Sequence, residues 1–252
     1  MIDWTQWPRD FQETAPHPEL FALESQELNQ MRELERDYLD QSHIICNIPR
    51  IKLDNLQDFL QIYKDSSVEA LRQEPSFDEP WSKDHHPMTV NSWNSALWNS
   101  LDLYVDPNLP KGFGQETLAS RYLDLRSQFP KFYQQVFDLY PFKQIWFVKF
   151  LLNRQSIPGH QDTDWQFNCP TSFRSIVWDT NPQPTFWIER NGLKHYVDLP
   201  KHTNTFAYNN CTYRHGADWL GHLKIIMVVR GIPDAGRMRK IFEKSSRNHN
   251  RF

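Results

Sequence analysis

Ile145-Trp146-Phe147-Val148-Lys149-Phe150-Leu151-Leu152 is the strongest strand signal in the chain. Only Lys149 interrupts an apolar run rich in aromatic and branched side chains. The run is too short for an ordinary helix and is bounded by Pro141 and by Pro158-Gly159. With a period of two, Trp146, Val148, Phe150 and Leu152 share one face. Downstream, short extended segments follow at close spacing: His160–Asp162, Phe173–Trp178, Thr185–Glu189, Leu193–Leu199, Asn204–Tyr208, Tyr213–His215 and Leu223–Arg230. Arg190-Asn191-Gly192-Leu193 lies between two of them, and Asn-Gly in that setting is a hairpin signal. No helix-forming stretch intervenes, which argues for an antiparallel sandwich or barrel and against a parallel α/β sheet.

Upstream of Pro141 the character differs. Residues 1–17 show no period and read as an extended arm. From Glu19 to Asp40, Leu20, Leu23, Leu28, Met31 and Leu34 recur at helical spacing. Residues 43–52 read as a strand. Asp54 is a candidate N-cap for a helix carrying Leu56, Phe59, Leu60 and Tyr63. Residues 74–114 read as long loops with short elements; Val90 to Leu101, with Trp93 and Trp98, either plugs the core or hangs over a site. Leu118, Tyr122, Leu125 and Phe129 mark a helix that Pro130 interrupts, and a second runs from Phe132 to Tyr140. The chain is therefore an α+β protein: a helical and loop portion at 1–140, a β core at 141–235, and a tail at 236–252 with six Lys/Arg against one Glu.

Composition narrows the function classes. The 252 residues are 39% hydrophobic and 23% charged, which is globular. The net charge of −3 weighs against a nucleic-acid partner. Three separated cysteines, Cys46, Cys169 and Cys211, supply neither a disulfide framework nor a zinc knuckle. No apolar run is long enough to span a membrane and no leader pattern opens the chain, so a cytoplasmic protein is expected. Oligomeric state is not legible.

Pro158-Gly159-His160-Gln161-Asp162 carries the chemistry. A histidine and a carboxylate two residues apart on an extended segment point the same way. His215, in Tyr213-Arg214-His215-Gly216, follows a strand and precedes a turn. Two imidazoles and one carboxylate on one face of an ion form the arrangement of non-haem Fe(II) oxygenases, leaving positions for a chelating co-substrate and O₂. His-x-Asp taken alone also fits a chance turn, and three ligands also suit a zinc hydrolase. His195 and His202 are rival ligands by position, but no apolar strand leads into them. Asp164 extends the motif and either closes a turn or touches a substrate amine. On the last strand, Lys224 and Arg230 share parity, so both can face a barrel interior, where a buried cation needs an anionic partner.

Residues 141–233 resemble the double-stranded β-helix (jelly-roll, cupin-like) of Fe(II)/2-oxoglutarate-dependent oxygenases. The likeness is nearest to the aspartyl/asparaginyl β-hydroxylase and free-proline hydroxylase branch. It rests on Ile157–Asp162, Phe173–Asn181, His215 and Leu223–Gly231. The resemblance implies that His160, Asp162 and His215 bind Fe(II), with O₂ as the oxidant. It also implies a cation for the distal carboxylate of 2-oxoglutarate at the start of the last strand: Lys224 first, then Arg230, then Arg174. Most relatives carry Arg where this chain has Lys224. A carboxylate at Asp162 favours hydroxylation over halogenation, with succinate and CO₂ as co-products. Asn168, Trp178, Asn209 and Arg214, with Arg174, are candidates to line the substrate pocket. Arg174 and Arg214 together suggest a substrate carboxylate, hence a free amino acid or a small molecule derived from one. A peptide or protein side chain is the alternative, and a non-catalytic cupin-like metal-binding protein is a further one.

Overall fold

The structure, a computed structural model, describes residues 25–54, 57–58, 99–105, 125–153, 156–161, 167–181, 183–210, 212–222 and 224–249. Helix α1 spans Ser25–Tyr38, followed by β1 (His43–Ile45), β2 (Asn99–Val105), α2 (Leu125–Gln128) and α3 (Pro130–Leu139). The β-rich half holds β3 (Phe142–Asn153), β4 (Ile157–His160), β5 (Ser172–Asp179), β6 (Phe186–Arg190) and β7 (Leu193–Tyr196). It continues with β8 (Thr205–Tyr208), β9 (His215–Ala217) and β10 (Lys224–Pro233), and α4 (Ala235–His249) follows. Leu20 and Leu23, the helix expected after Asp54, Val90 to Trp98, and Leu118 with Tyr122 lie outside the described residues.

Two antiparallel sheets result. The larger has the order β1-β8-β5-β10-β3-β2 and the smaller β4-β9-β6-β7. From β3 onward every connection crosses between sheets except β6 to β7. That exception is the Asn-Gly hairpin: Arg190 pairs with Leu193, and Asn191 and Gly192 have φ of 53° and 75°. Positive φ at both central positions matches the right-handed twist of the flanking strands, which explains the choice of Asn and Gly.

The larger sheet is buried on both faces. On the helix side, Phe173, Val177, Val148, Phe150, Met227 and Val229 pack under Met31, Leu34, Phe132, Val136, Met238 and Phe242. Phe132 meets Phe150 edge-on at 5.8 Å, and Phe242 stacks on Phe173 at 6.4 Å. Each such ring contributes roughly 1.5–3 kcal/mol by leaving water. A polar thread crosses this layer: Tyr140 Oη lies 2.6 Å from Ser175 Oγ, which lies 2.5 Å from Thr205 Oγ1. Burial pushes the Tyr140 phenol well above its ordinary value, so it stays protonated and bonded. The buried Asn204 amide bonds both backbone groups of Ile51 and the carbonyl of Ile176, fastening the segment after β1 to β5.

On the opposite face, Leu151, Ile226 and Val228 form one apolar group, and Ile188, Val197, Phe206 and Tyr208 another. The second group joins the sheets, because Phe186 of β6 lies 5.0 Å from Phe206 and 4.9 Å from Tyr208 of β8. Along β10, Ile225, Met227 and Val229 face the helices, so Lys224 and Arg230 share the other face with Ile226 and Val228.

Three segments differ from the sequence reading. Residues 236–252 read as a basic tail with a short helix that frays, and the helix is longer and better packed than that: α4 runs over 235–249, with Met238, Phe242 and Ser245 buried. Its spacing of apolar residues is amphipathic, and Asp234 Oδ1 caps it by accepting from Arg237 N at 2.9 Å. Pro130 does not merely interrupt a helix; it opens α3, where its missing N–H costs nothing. Asn99–Val105, within a stretch read mainly as loop, is a strand paired along β3. Among the described residues no helix is long and apolar enough to cross a membrane.

Candidate metal centre

His160 ends β4 and His215 opens β9, and the two are register partners. Directly opposed residues of an antiparallel pair project from one face. Their ring centroids lie 4.4 Å apart with the planes at 56°. His215 is buried and His160 half-buried. His160 Nδ1 is 2.8 Å from the carbonyl of Pro158, and His215 Nδ1 is 3.2 Å from that of Tyr213. A carbonyl oxygen can only accept, so each Nδ1 donates, and in the neutral ring Nε2 is the nitrogen that can act as a ligand. The same two-residue backward bond therefore holds both imidazoles in the tautomer a metal ligand needs. The wall beside them is aromatic: Tyr208 lies 4.8 Å and Phe186 5.8 Å from the His215 ring.

The third expected ligand, Asp162, and its neighbour Asp164 lie outside the described residues. Among the described residues no set of three His, Cys, Asp or Glu forms a metal site. The chain leading to Asp162 is tied down, since Gln161 Nε2 donates to the carbonyl of Thr212 at 2.9 Å. That bond joins the end of β4 to the turn that introduces β9. His195 and His202, the rival ligands, are exposed.

The three candidate cations occupy different settings. Lys224 is buried, and its ammonium lies 2.8 Å from Asp179 Oδ2, 2.9 Å from Thr185 Oγ1 and 3.3 Å from the carbonyl of Gln183. An ammonium has three donors, and all three are engaged. The anion required by a buried cation is thus supplied within the chain, by Asp179. The second oxygen of that carboxylate lies 3.2 Å from His222 Nε2. A small cavity of about 40 Å³ beside this group is lined by Ile176, Val197, Asp198 and Leu199 as well as by Asp179 and Lys224. Arg174 lies on β5 opposite Phe206, with its guanidinium carbon 5.3 Å over the Tyr208 ring. Among the described residues it makes one hydrogen bond, to the carbonyl of Phe173 at 3.3 Å. Tyr208 links it to His215, whereas Lys224 lies four residues before Val228, the partner of Arg174, on β10. At about 3.3 Å per residue, that separates the two cations by roughly 13 Å along the strand. Arg230 is half-buried opposite Phe147, where β10 shifts register.

The described substrate candidates occupy separate settings. Trp178 stands across from Ile225, on the helix side, and is 36% exposed. Asn209 is fully buried and serves its own turn, where Oδ1 accepts from Thr212 N at 3.0 Å. Arg214 alternates with His215, so its side chain lies on the outer face; Nε is 2.6 Å from where a Cβ on Gly159 would be. Asn168 Oδ1 accepts from Thr212 Oγ1 at 3.3 Å. Asp179, Thr185 and Trp187 were not singled out from sequence. Asp179 was findable, because it ends a strand that pairs with the start of β10. Trp187 had a fainter signal, described below.

No family model and no curated protein sequence matches the chain. Solved structures do overlap with it. A prolyl-4-hydroxylase from Pseudomonas putida aligns at 10% identity and a TM-score of 0.32, covering 79% of this chain and 96% of the other. A prolyl hydroxylase from Trichoplax adhaerens, in complex with a hypoxia inducible factor oxygen degradation domain peptide fragment, aligns at 8% identity and a TM-score of 0.30. It covers 88% of this chain and 98% of the other. Likeness this slight carries no argument about chemistry, which rests on the chain's own residues.

Proposed function

We propose that the protein is an Fe(II)/2-oxoglutarate-dependent dioxygenase built on a double-stranded β-helix. It hydroxylates an unactivated C–H bond of a free amino acid or of a small molecule derived from one. The interleaved order of the two sheets, with strands from both meeting at Phe186, Phe206 and Tyr208, supports closure into a jelly roll. The observation that carries the chemistry is the opposed imidazole pair, each ring oriented through Nδ1 by a carbonyl two residues back. Imidazole nitrogen suits Fe(II), and Asp162, two residues on from His160, would supply the carboxylate ligand. The bound iron would supply activation of O₂ coupled to decarboxylation of 2-oxoglutarate.

The chain's own residues orient and enclose. His160 and His215 would hold the ion from adjacent strands. Tyr208 and Phe186 form an apolar wall that excludes water from one side of His215. For the distal carboxylate of 2-oxoglutarate, Arg174 now ranks ahead of Lys224. Lys224 has its donors filled and stands beside two carboxylates, Asp179 and Asp198, which repel a further anion. Arg174 has spare donors and reaches the histidine end through Tyr208.

The test is succinate release by the Fe(II)-loaded protein under air, with a panel of amino acids and peptides. Turnover stimulated by an amino acid, and lost in His160→Ala and His215→Ala, supports the proposal. Stimulation by peptides alone moves the substrate to a protein side chain. A second reading, a cupin-like metal-binding protein without turnover, is favoured by the closed Lys224–Asp179 pair. Iron binding with no consumption of 2-oxoglutarate under any condition would establish it.

A further inference from the structure

The outer face of the smaller sheet carries an assembly with no part in the reading so far. Trp187 of β6 is buried at 4% exposure although it points away from the histidine face. It is the register partner of Gly216, while the next residue, Ile188, is the partner of His215. A Cβ on Gly216 would lie 2.5 Å from Trp187 Cζ2, and one on Gly159 would lie 2.7 Å from Trp187 Cη2. The benzo edge of one indole thus rests on two bare backbone positions. Each of these glycines is the sequence neighbour of a histidine, in Gly159-His160 and His215-Gly216.

The indole is itself clamped. Its Nε1 donates to Asp218 Oδ1 at 3.2 Å, and Lys194 Nζ sits 4.6 Å over the ring. The same Lys194 Nζ donates to both oxygens of Asp218, at 2.9 and 3.1 Å, and the Tyr196 hydroxyl donates to Oδ2. Lys194 and Tyr196 belong to β7, so the far edge of the sheet locks a ring that bears on β4 and β9 together.

We propose that Trp187 is a positioning residue for the metal pair: its clamped ring sets how close and at what tilt β4 and β9 present His160 and His215. This rests on the metal reading and extends it. β4 has only four residues, is the edge of its sheet, and loses regular register between Ile157 and His160. Its own ladder therefore constrains His160 weakly, and a rigid surface behind Gly159 supplies what the ladder does not. Groups that orient metal ligands change affinity by about 10–100-fold when altered.

The experiment titrates the intact protein with Co(II) alone, following visible absorption, and records thermal unfolding of each variant. Trp187→Phe removes the atoms over Gly159 and the Nε1 bond, and should weaken Co(II) by about tenfold. Met238→Ala, in α4 and remote from the pair, serves as the destabilised control and should hold affinity within about twofold. Gly159→Ala should also weaken binding. The atoms it meets, Trp187 Cη2 and Arg214 Nε, are both in side chains, so Gly159→Ala combined with Trp187→Phe should recover affinity relative to Gly159→Ala alone. If Trp187→Phe loses no more affinity than Met238→Ala, or the double variant is additive, Trp187 only packs and the proposal is overturned. If the wild type binds no Co(II), or His160→Ala binds it as well as the wild type, the metal reading falls and takes this proposal with it.

Discussion

The two sheets are held in different ways. The six-stranded sheet is secured by apolar burial: rings from β3, β5, α3 and α4 interlock, and the hydroxyls of Tyr140, Ser175 and Thr205 bond to one another within the layer. The four-stranded sheet has less to bury. Its β7 is exposed along its whole length, and its order comes from a hairpin turn, an indole on two glycines, and one carboxylate with three donors. Most of the apolar burial lies in one layer and the two histidines in the other, so the two can be perturbed separately.

The largest expected effect tests the first half of that contrast. Phe173→Ala should cost about 3–5 kcal/mol in chemical unfolding, as large core truncations do. Co(II) affinity of the folded fraction should stay unchanged; a loss of affinity in step with stability would mean that the layers are not separable. The next pair of variants addresses the cations. Lys224→Ala takes the ammonium from the half-buried Asp179 and should destabilise by at most roughly 3–5 kcal/mol, while the 2-oxoglutarate concentration for half-maximal succinate release shifts less than twofold. Arg174→Ala should do the reverse, with little loss of stability and a rise of about tenfold in that concentration, or ~1.4 kcal/mol. The opposite pattern would return the co-substrate to Lys224.

The smallest effect lies on the outer clamp. Burial pushes the Asp218 carboxyl up, but hydrogen bonds from Tyr196, Lys194 and Trp187 outweigh it and hold the group below its ordinary 3.8. A depressed carboxyl adds stability above its unfolded value, and this is lost as pH falls through the depressed folded value. Asp218→Asn should therefore melt lower than wild type at pH 7, and the gap should close as pH drops below about 3.8. A gap that stays constant across that range would show that the clamp is not ionic.

Much of this contrast could be read from the chain, for identifiable reasons. Ile145–Leu152, Asn191-Gly192 and the run ending in Arg230 announce strands and a turn through local composition, so the β core was legible. The sequence placed each histidine beside a strand end, but β4 runs up to His160 and β9 runs on from His215, the reverse of the expected segments, so their facing is visible only in the paired strands. What escaped depends on contacts distant in sequence. Asn99–Val105 is a strand because β3 offers it an edge, and its own alternation is too weak to say so. Residues 235–249 read as a short fraying helix rather than a packed one because their charges mask Met238, Ile241 and Phe242, which need the larger sheet to give them a face. Lys224 was assigned an outside anion because Asp179 is 45 residues upstream. Trp187 was hidden because a glycine beside each histidine marks a vacancy only after β4, β9 and β6 are laid side by side.

Pro158 has one more consequence. It sits in β4, at the rim of its sheet, where an outward-facing strand invites a strand from another molecule. Proline offers no amide hydrogen, and the neighbouring ladder is already broken between Ile157 and His160. The rim that bears a reactive imidazole is therefore a poor template for self-association, and the protein can leave that side open to solutes without polymerising through it.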